Sequence, residues 1–230
     1  EVRLPEGYYL SLRQRAFDVA HDGRLLVLSA WTWKTPFLLP DEARLYVRPL
    51  DSLDVRAVEG TEGAGQPVLS PDGRHLAFVV WSGGKPTLGR VPLAGGPTLT
   101  LCACDARMGA AWTDDGFLLF AGPKGPLWKV PETGGTPEPA TSLDTSSGEI
   151  SHRLPHLLPD GRTVLYTALR WGDRGKATWE RARIYSQRPG EKERSLLVEG
   201  GSDGRWAEPG LLVFAQEGRL LAAPLDGTGR

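Results

Sequence analysis

Three stretches carry residue types that can do chemistry, and each fails a different requirement. Cys102-Ala103-Cys104 offers two thiols, but zinc needs a tetrahedral ligand set, and no second cysteine pair or histidine pair stands at a spacing that completes it. Two apart on a strand, the thiols point the same way and lie too far apart for an unstrained bridge, so buried free thiols are expected. His152 and His156 flank Pro155, which blocks a helix; on a strand they stand about 13 Å apart, too far to share a metal ion. Gly200-Gly201-Ser202-Asp203-Gly204 fits the G-x-S-x-G pattern, whose serine needs a strand before it and a helix after it. Arg205-Trp206-Ala207-Glu208-Pro209 cannot open that helix. Kinase, phosphate-loop and dinucleotide fingerprints do not occur. No metal, cofactor or catalytic group is expected.

Tryptophan is the more informative residue. Trp31 and Trp33 stand beside Lys34, and Trp171 and Trp179 bracket Asp173 and Arg174 and follow Arg170. Exposed tryptophan next to charge is the composition of a protein or sugar contact site. The alternative is that these indoles pack over the rim and bury each loop against its own sheet.

The elements that must position these residues repeat. A turn built on Asp-Gly or Pro-Gly precedes an apolar run in Asp22-Gly23-Arg24-Leu25-Leu26, Ser70-Pro71-Asp72-Gly73-Arg74-His75-Leu76, Asp115-Gly116-Phe117-Leu118, Pro159-Asp160-Gly161-Arg162-Thr163-Val164 and Pro209-Gly210-Leu211-Leu212. The turn glycines stand at 23, 73, 116, 161 and 210, in steps of 50, 43, 45 and 49. A second strand follows each run and ends near a proline, as in Leu45-Tyr46-Val47-Arg48-Pro49 and Leu127-Trp128-Lys129-Val130-Pro131. Each unit reads as a four-stranded antiparallel meander whose turn aspartate caps the backbone locally while glycine takes the left-handed conformation. The strands after the turns are apolar almost without alternation, which implies burial on both faces. Four-stranded sheets of about 45 residues packed face to face make an all-β fold, a β-propeller. The expectation is one domain over residues 1–230, with five units at about 12–58, 64–101, 108–142, 150–199 and 204–226. The last unit lacks a fourth strand, and residues 1–6 are expected to supply it and close the ring, removing an exposed edge. The rival is an open fragment of a larger ring.

In such a meander the Asp-Gly turns lie at one end and the long segments at the other: Trp31 to Glu42, Cys102 to Gly109, Ser142 to Ser151 and Trp171 to Glu180. Loops on a rigid scaffold are where function gathers. The candidate ligand-binding residues are Trp31, Trp33, Lys34, Asp105, Arg107, His152, Trp171, Arg174 and Trp179. A glycosidase would need paired carboxylates about 5–9.5 Å apart, and only Asp18 and Glu208 stand on or beside the first strands.

Lys+Arg 27 against Asp+Glu 28 leaves a net charge of −1, so no bulk field favours nucleic acid or an anionic membrane. The apolar runs fall far short of the roughly 20 residues that span a bilayer as a helix. Partners are thus expected to be a protein, a peptide or a small ligand. Glu1 in place of a starting methionine, with Met108 the one methionine, leads to the expectation of a piece processed or excised from a longer product.

The run Ser70 to Val80 resembles the Ser-Pro-Asp-Gly turn and apolar strand of the WD-like propeller repeats of the TolB kind. Val47-Arg48-Pro49-Leu50-Asp51-Ser52-Leu53, Ala94-Gly95-Gly96-Pro97, Gly148-Glu149-Ile150-Ser151-His152-Arg153 and Leu158-Pro159-Asp160-Gly161-Arg162 are similar to phrases of the propeller region that follows the catalytic domain in bacterial serine/threonine kinases. The likeness covers nearly the whole chain. It implies a propeller with a sensor or interaction role in a larger signalling protein, in a bacterial extracytoplasmic setting. The sequence departs from the pattern at Ala20-His21-Asp22-Gly23 and Thr113-Asp114-Asp115-Gly116. The runner-up function is a five-bladed glycoside hydrolase.

Overall fold

The computed structural model describes residues 4–10, 16–32, 43–81, 85–171 and 177–229. The chain is organised as two compact units, Glu1–Arg107 with Pro131–Thr136 and Met108–Val130 with Pro137–Arg230. In the first unit β1 (Tyr8–Leu10) and β2 (Phe17–Val19) pair with successive parts of β3 (Leu25–Thr32), which continues to β4 (Arg44–Pro49) and β5 (Arg56–Ala57). The second sheet of that unit is β6 (Ala64–Leu69), β7 (His75–Val80), β8 (Thr87–Pro92) and β9 (Leu99–Ala103).

The second unit holds three sheets. They are β10 (Ala110–Trp112) to β13 (Glu138–Pro139) through β11 (Phe117–Ala121) and β12 (Leu127–Pro131); β14 (Glu149–Leu157), β15 (Val164–Trp171), β16 (Ala177–Gln187) and β17 (Arg194–Glu199); and β18 (Ser202–Ala207), β19 (Leu211–Gln216) and β20 (Arg219–Pro224). Five antiparallel meanders, with a single 3₁₀ turn at Thr145–Ser147 among the described residues, make the five-bladed β-propeller fold that the repeat implies.

The turns explain the repeat. Gly23, Gly73 and Gly161 sit at φ of +67°, +67° and +66°, where a side chain is strained and glycine is not. Asp22, Asp72 and Asp160 each accept the backbone N–H two residues on, at 2.9, 3.0 and 3.0 Å. Ser70 adds a hydroxyl that receives the His75 N–H at 2.9 Å. Where the pattern departs, Thr113 does the same work by receiving the Phe117 N–H at 3.0 Å, and Ala20 keeps only the backbone bonds to Gly23 and Leu25.

Burial on both faces accounts for the missing alternation. In the second unit Val164, Tyr166 and Ala168 of β15 join one core with Leu119, Ala121 and Leu127, while Leu165 joins another with Ile184, Leu212 and Phe214. In the first unit Val27, Leu45 and Val47 pack with Leu76, Phe78 and Val91.

Residues 4–6, part of the stretch expected to clasp the last unit, form no strand, and the described N-terminal strand follows them in the first unit. Tyr8–Leu10 pairs with Thr32–Ala30, and Leu4, Tyr8 and Leu10 pack on Leu26, Leu28, Ala30 and Tyr46. Among the described residues β20 pairs with β19 alone. Leu4, Tyr8 and Leu10 thus find an apolar core beside β3 in their own unit. Residues 1–3 lie outside the described residues.

Candidate functional site

Of the residues singled out in the sequence, Trp33, Lys34 and Arg174 lie outside the described residues. Trp31 and the Asp105–Arg107 pair belong to the first unit; His152, Trp171 and Trp179 belong to the second. Trp31 is half-buried and opposes Tyr9 across β1 and β3. Asp105 and Arg107 neutralise one another, with Oδ1–Nε at 2.8 Å and Oδ2–Nη2 at 2.7 Å. The Arg107 carbonyl receives Gln66 Nε2 at 2.9 Å. Cys102, in β9, is buried and Cys104, just past its end, is half-buried, and both are free thiols.

His152 is not a surface residue. Its side chain is wholly buried, because the neighbouring Tyr166 ring packs 4.4 Å from the imidazole, centroid to centroid, within the core. Nε2 lies 3.2 Å from Glu149 Oε2 and Nδ1 2.7 Å from Thr141 Oγ1. Carboxylate oxygens only accept, so Nε2 carries the proton, and the neutral ring leaves Nδ1 to accept the threonine hydroxyl. Burial depresses the imidazole below its ordinary range despite the pull of Glu149, which keeps it neutral.

Burial would raise Glu149, but hydrogen bonds from His152, from Arg194 Nη1 at 3.0 Å and from the Asp144 N–H at 2.8 Å outweigh it and hold the carboxyl at about 2. Sequence reasoning passed over this glutamate, which opens β14, when it counted Asp18 and Glu208 as the carboxylates beside the first strands. Its nearness to His152 in the chain was the available signal.

Thr141, His152 and Glu149 have the connectivity of a nucleophile, a base and an orienting carboxylate. They serve the fold instead. All three are buried, and Thr141 Oγ1 receives the Leu127 N–H at 2.9 Å, the bond that Thr61 makes to the Leu45 N–H at 3.1 Å in the first sheet. A hydroxyl spent on the same repeat-derived contact in two sheets, with no surface open to substrate, is a strand cap. Of the carboxylates expected for a glycosidase, Asp18 accepts the Leu69 N–H at 2.9 Å and Glu208 stands exposed in the turn after β18. The Gly200–Gly204 motif runs into strand β18 and has no helix after it.

The exposed chemistry of the second unit lies where the β15–β16 hairpin meets two loops. Trp171 is 51% exposed and Trp179 46%. Trp171 opposes Ala177, two residues before Trp179, and its N–H bonds the Gly148 carbonyl at 3.0 Å, tying the hairpin to the loop that follows β13. The Arg153 guanidinium lies 5.6 Å from the Trp179 ring centroid, its Nε on Ser151 Oγ and its Nη2 on the Pro123 carbonyl, both at 2.8 Å. At the opposite end of these strands, among the Asp-Gly turns, Thr113, Asp115, Phe117, Arg162 and Arg188 line a cleft of about 300 Å³. Among the described residues no three His, Cys, Asp or Glu side chains gather as a metal-binding group, and no helix is long and apolar enough to cross a membrane.

Neither a protein-family model nor a curated protein sequence matches the chain. Solved structures do. TolB from Acinetobacter baumannii is similar with a TM-score of 0.64 at 15% identity, over 94% of this chain and 55% of that one. An oligogalacturonate lyase in complex with manganese has a TM-score of 0.62 at 17% identity, over 88% and 58%. The β-propeller domain of the Trilobed protease from Pyrococcus furiosus, described as having an open velcro topology, has a TM-score of 0.56 at 14% identity, over 98% and 83%. The chain thus spans little more than half the length of the first two. Identities this low carry the propeller fold and no activity.

Proposed function

We propose that the chain is a non-catalytic binding module whose contact surface in the second unit is the Trp171–Trp179 hairpin. The observation that carries this reading is the pair of indoles, each about half exposed, on facing arms of one hairpin that the fold anchors through Gly148 and Arg153. Tryptophan and arginine dominate binding hot spots because they combine large apolar area with a directed polar group. The likeness to TolB-type propellers supports an interaction role. The wider reading is a sensor or interaction part of a larger bacterial signalling protein such as a serine/threonine kinase, as the sequence resemblance implies; the reading frame around Glu1 and Arg230 tests that part.

The surface is tested by pull-down and thermal-shift screening of the wild type against Trp171→Ala and Trp179→Ala. Loss of captured ligands in both variants, with unchanged melting, is the expected result; ligands retained by both variants reject the surface. The enzymatic alternative, to which the lyase likeness lends some weight, predicts turnover on a glycan panel that Glu208→Gln abolishes. The engagement of Asp18 with the Leu69 N–H argues against it.

A further inference from the structure

The charge around the two indoles defines what they bind, an inference that rests on the binding-module reading above. Arg153 is half-buried, and its Nε and Nη2 donate to Ser151 and the Pro123 carbonyl, which fixes the plane of the guanidinium. No carboxylate pairs with it among the described residues. Burial lowers its proton affinity and no neighbouring acid restores it. Neither contact uses the Nη1 group, whose N–H donors are left over for a ligand. Lys124, next to the carbonyl that holds Arg153, is exposed and likewise forms no ion pair among the described residues.

Arg153 shares this setting with Arg170, which donates to the Ser147 carbonyl and has no carboxylate partner among the described residues, but Arg153 alone of the two is stacked on an indole. Arg183, Arg194 and Arg205 each have a carboxylate partner, in Glu199, Glu149 and Asp203. Arg153 has an aromatic ring on one side and carbonyl and hydroxyl acceptors on others, and these orient the cation without neutralising it. A pre-oriented, partly desolvated guanidinium with free donors binds a carboxylate more strongly than a flexible surface lysine does, because the two N–H···O bonds form with little further ordering.

We propose that this surface takes an acidic segment of a partner protein, a carboxylate settling on the free Nη1 side of Arg153 within the field of Lys124 while an adjacent apolar side chain covers the Trp171 and Trp179 indoles. A peptide is favoured over a charged polysaccharide because arginine and tryptophan together are the composition of protein hot spots. Carboxylate and apolar groups alternating along an extended chain also match a cation over the Trp179 indole on a hairpin that carries Trp171 as well.

Three labelled probes test this by fluorescence anisotropy on the whole chain: a peptide with three glutamates around one phenylalanine and one leucine, its glutamine counterpart, and an oligogalacturonate. The acidic peptide is expected to bind about tenfold more tightly than the glutamine peptide, and to lose about tenfold in Arg153→Gln and in Lys124→Glu. Its affinity is also expected to fall as salt rises. Lys124→Glu touches no structural contact, so it remains informative if Arg153→Gln alters the melting curve. Equal binding of both peptides, abolished by Trp171→Ala, would keep the contact surface and discard the acidic partner. Preference for the oligogalacturonate overturns the choice of protein. Absence of binding by either peptide at millimolar concentration removes the proposal, while the ligand screen described above decides separately whether the surface itself stands.

Discussion

Arg194 and Glu149 meet across the whole width of the fourth sheet. The carboxylate comes from the start of β14 and the guanidinium from the start of β17, with two strands between them, yet Nη1 lies 3.0 Å from Oε2 and Nη2 2.9 Å from Oε1. The arginine reaches this far by lying over the Tyr185 ring, 4.1 Å from its centroid. None of the glutamate side chain is exposed, so the pair is a pin through the core.

Breaking that pin leaves the Glu149 carboxylate buried without its cation, held only by His152 and the Asp144 N–H. Arg194→Ala is expected to cost about 3–5 kcal/mol in urea unfolding, the range for losing one partner of a buried pair. Glu149→Gln with Arg194→Met is expected to cost much less, because both desolvation penalties disappear together. A loss below about 1 kcal/mol in Arg194→Ala would show that the pair does not hold the sheet.

Stability is expected to fall on acidification, from near neutrality downward. Folding holds Glu149 at about 2, below its ordinary 4.5, so the unfolded chain takes up that proton first. The contribution is complete above 4.5 and is lost as the pH falls toward 2. His152 is depressed below its ordinary 6.5, and its contribution begins to fall below 6.5 with the same sign. The urea midpoint of the wild type minus that of His152→Gln should therefore shrink as pH falls from 6.5. A difference that stays flat between 6.5 and 4.5 contradicts a neutral buried imidazole.

Gly73 and Gly161 separate local strain from tertiary contact. Both sit at nearly the same φ, but a Cβ at Gly73 meets nothing within 4 Å whereas one at Gly161 falls 1.8 Å from Asp114 Oδ2. Gly73→Ala should cost about 1–2 kcal/mol, the left-handed penalty alone. Gly161→Ala should cost clearly more, and Asp114→Gly should recover the excess in the double variant. Equal costs for the two alanines, measured by urea unfolding, would mean that the Asp114 contact carries no weight.

Removal of residues 1–10 should expose β3 specifically. Amide exchange is expected to accelerate at Ala30–Thr32, the partners of β1, while Arg219–Pro224 keeps the exchange rate of the full chain. Faster exchange confined to Arg219–Pro224 would instead support a clasp on β20.

The five meanders were legible because their signal is local. An aspartate reaches an N–H two residues away, and a glycine adopts φ near +67° whatever surrounds it. Even the irregular turn at Thr113 is explained within five residues, since its hydroxyl stands in for that of Ser70. The fourth strands carry a weaker signal. Arg56–Ala57 and Glu138–Pro139 pair over only two residues, and at the edge of a sheet little burial is required of them.

His152 shows where that legibility stops. By type and position it reads as a ligand, yet its surroundings are set by Thr141, Glu149 and Tyr166, and through the glutamate by Arg194, forty-five residues beyond Glu149. Arg153, its neighbour in the chain, is turned toward Trp179 and the Pro123 carbonyl, and nothing in the spacing of these residues announces either contact. Turn chemistry and strand burial follow from neighbours in sequence, so the amino-acid order alone determined the five-sheet plan. Which charges are buried and paired, which cation is left with donors for a ligand and where the first strand ends its path depend on side chains brought together by packing, and only the tertiary structure decided those.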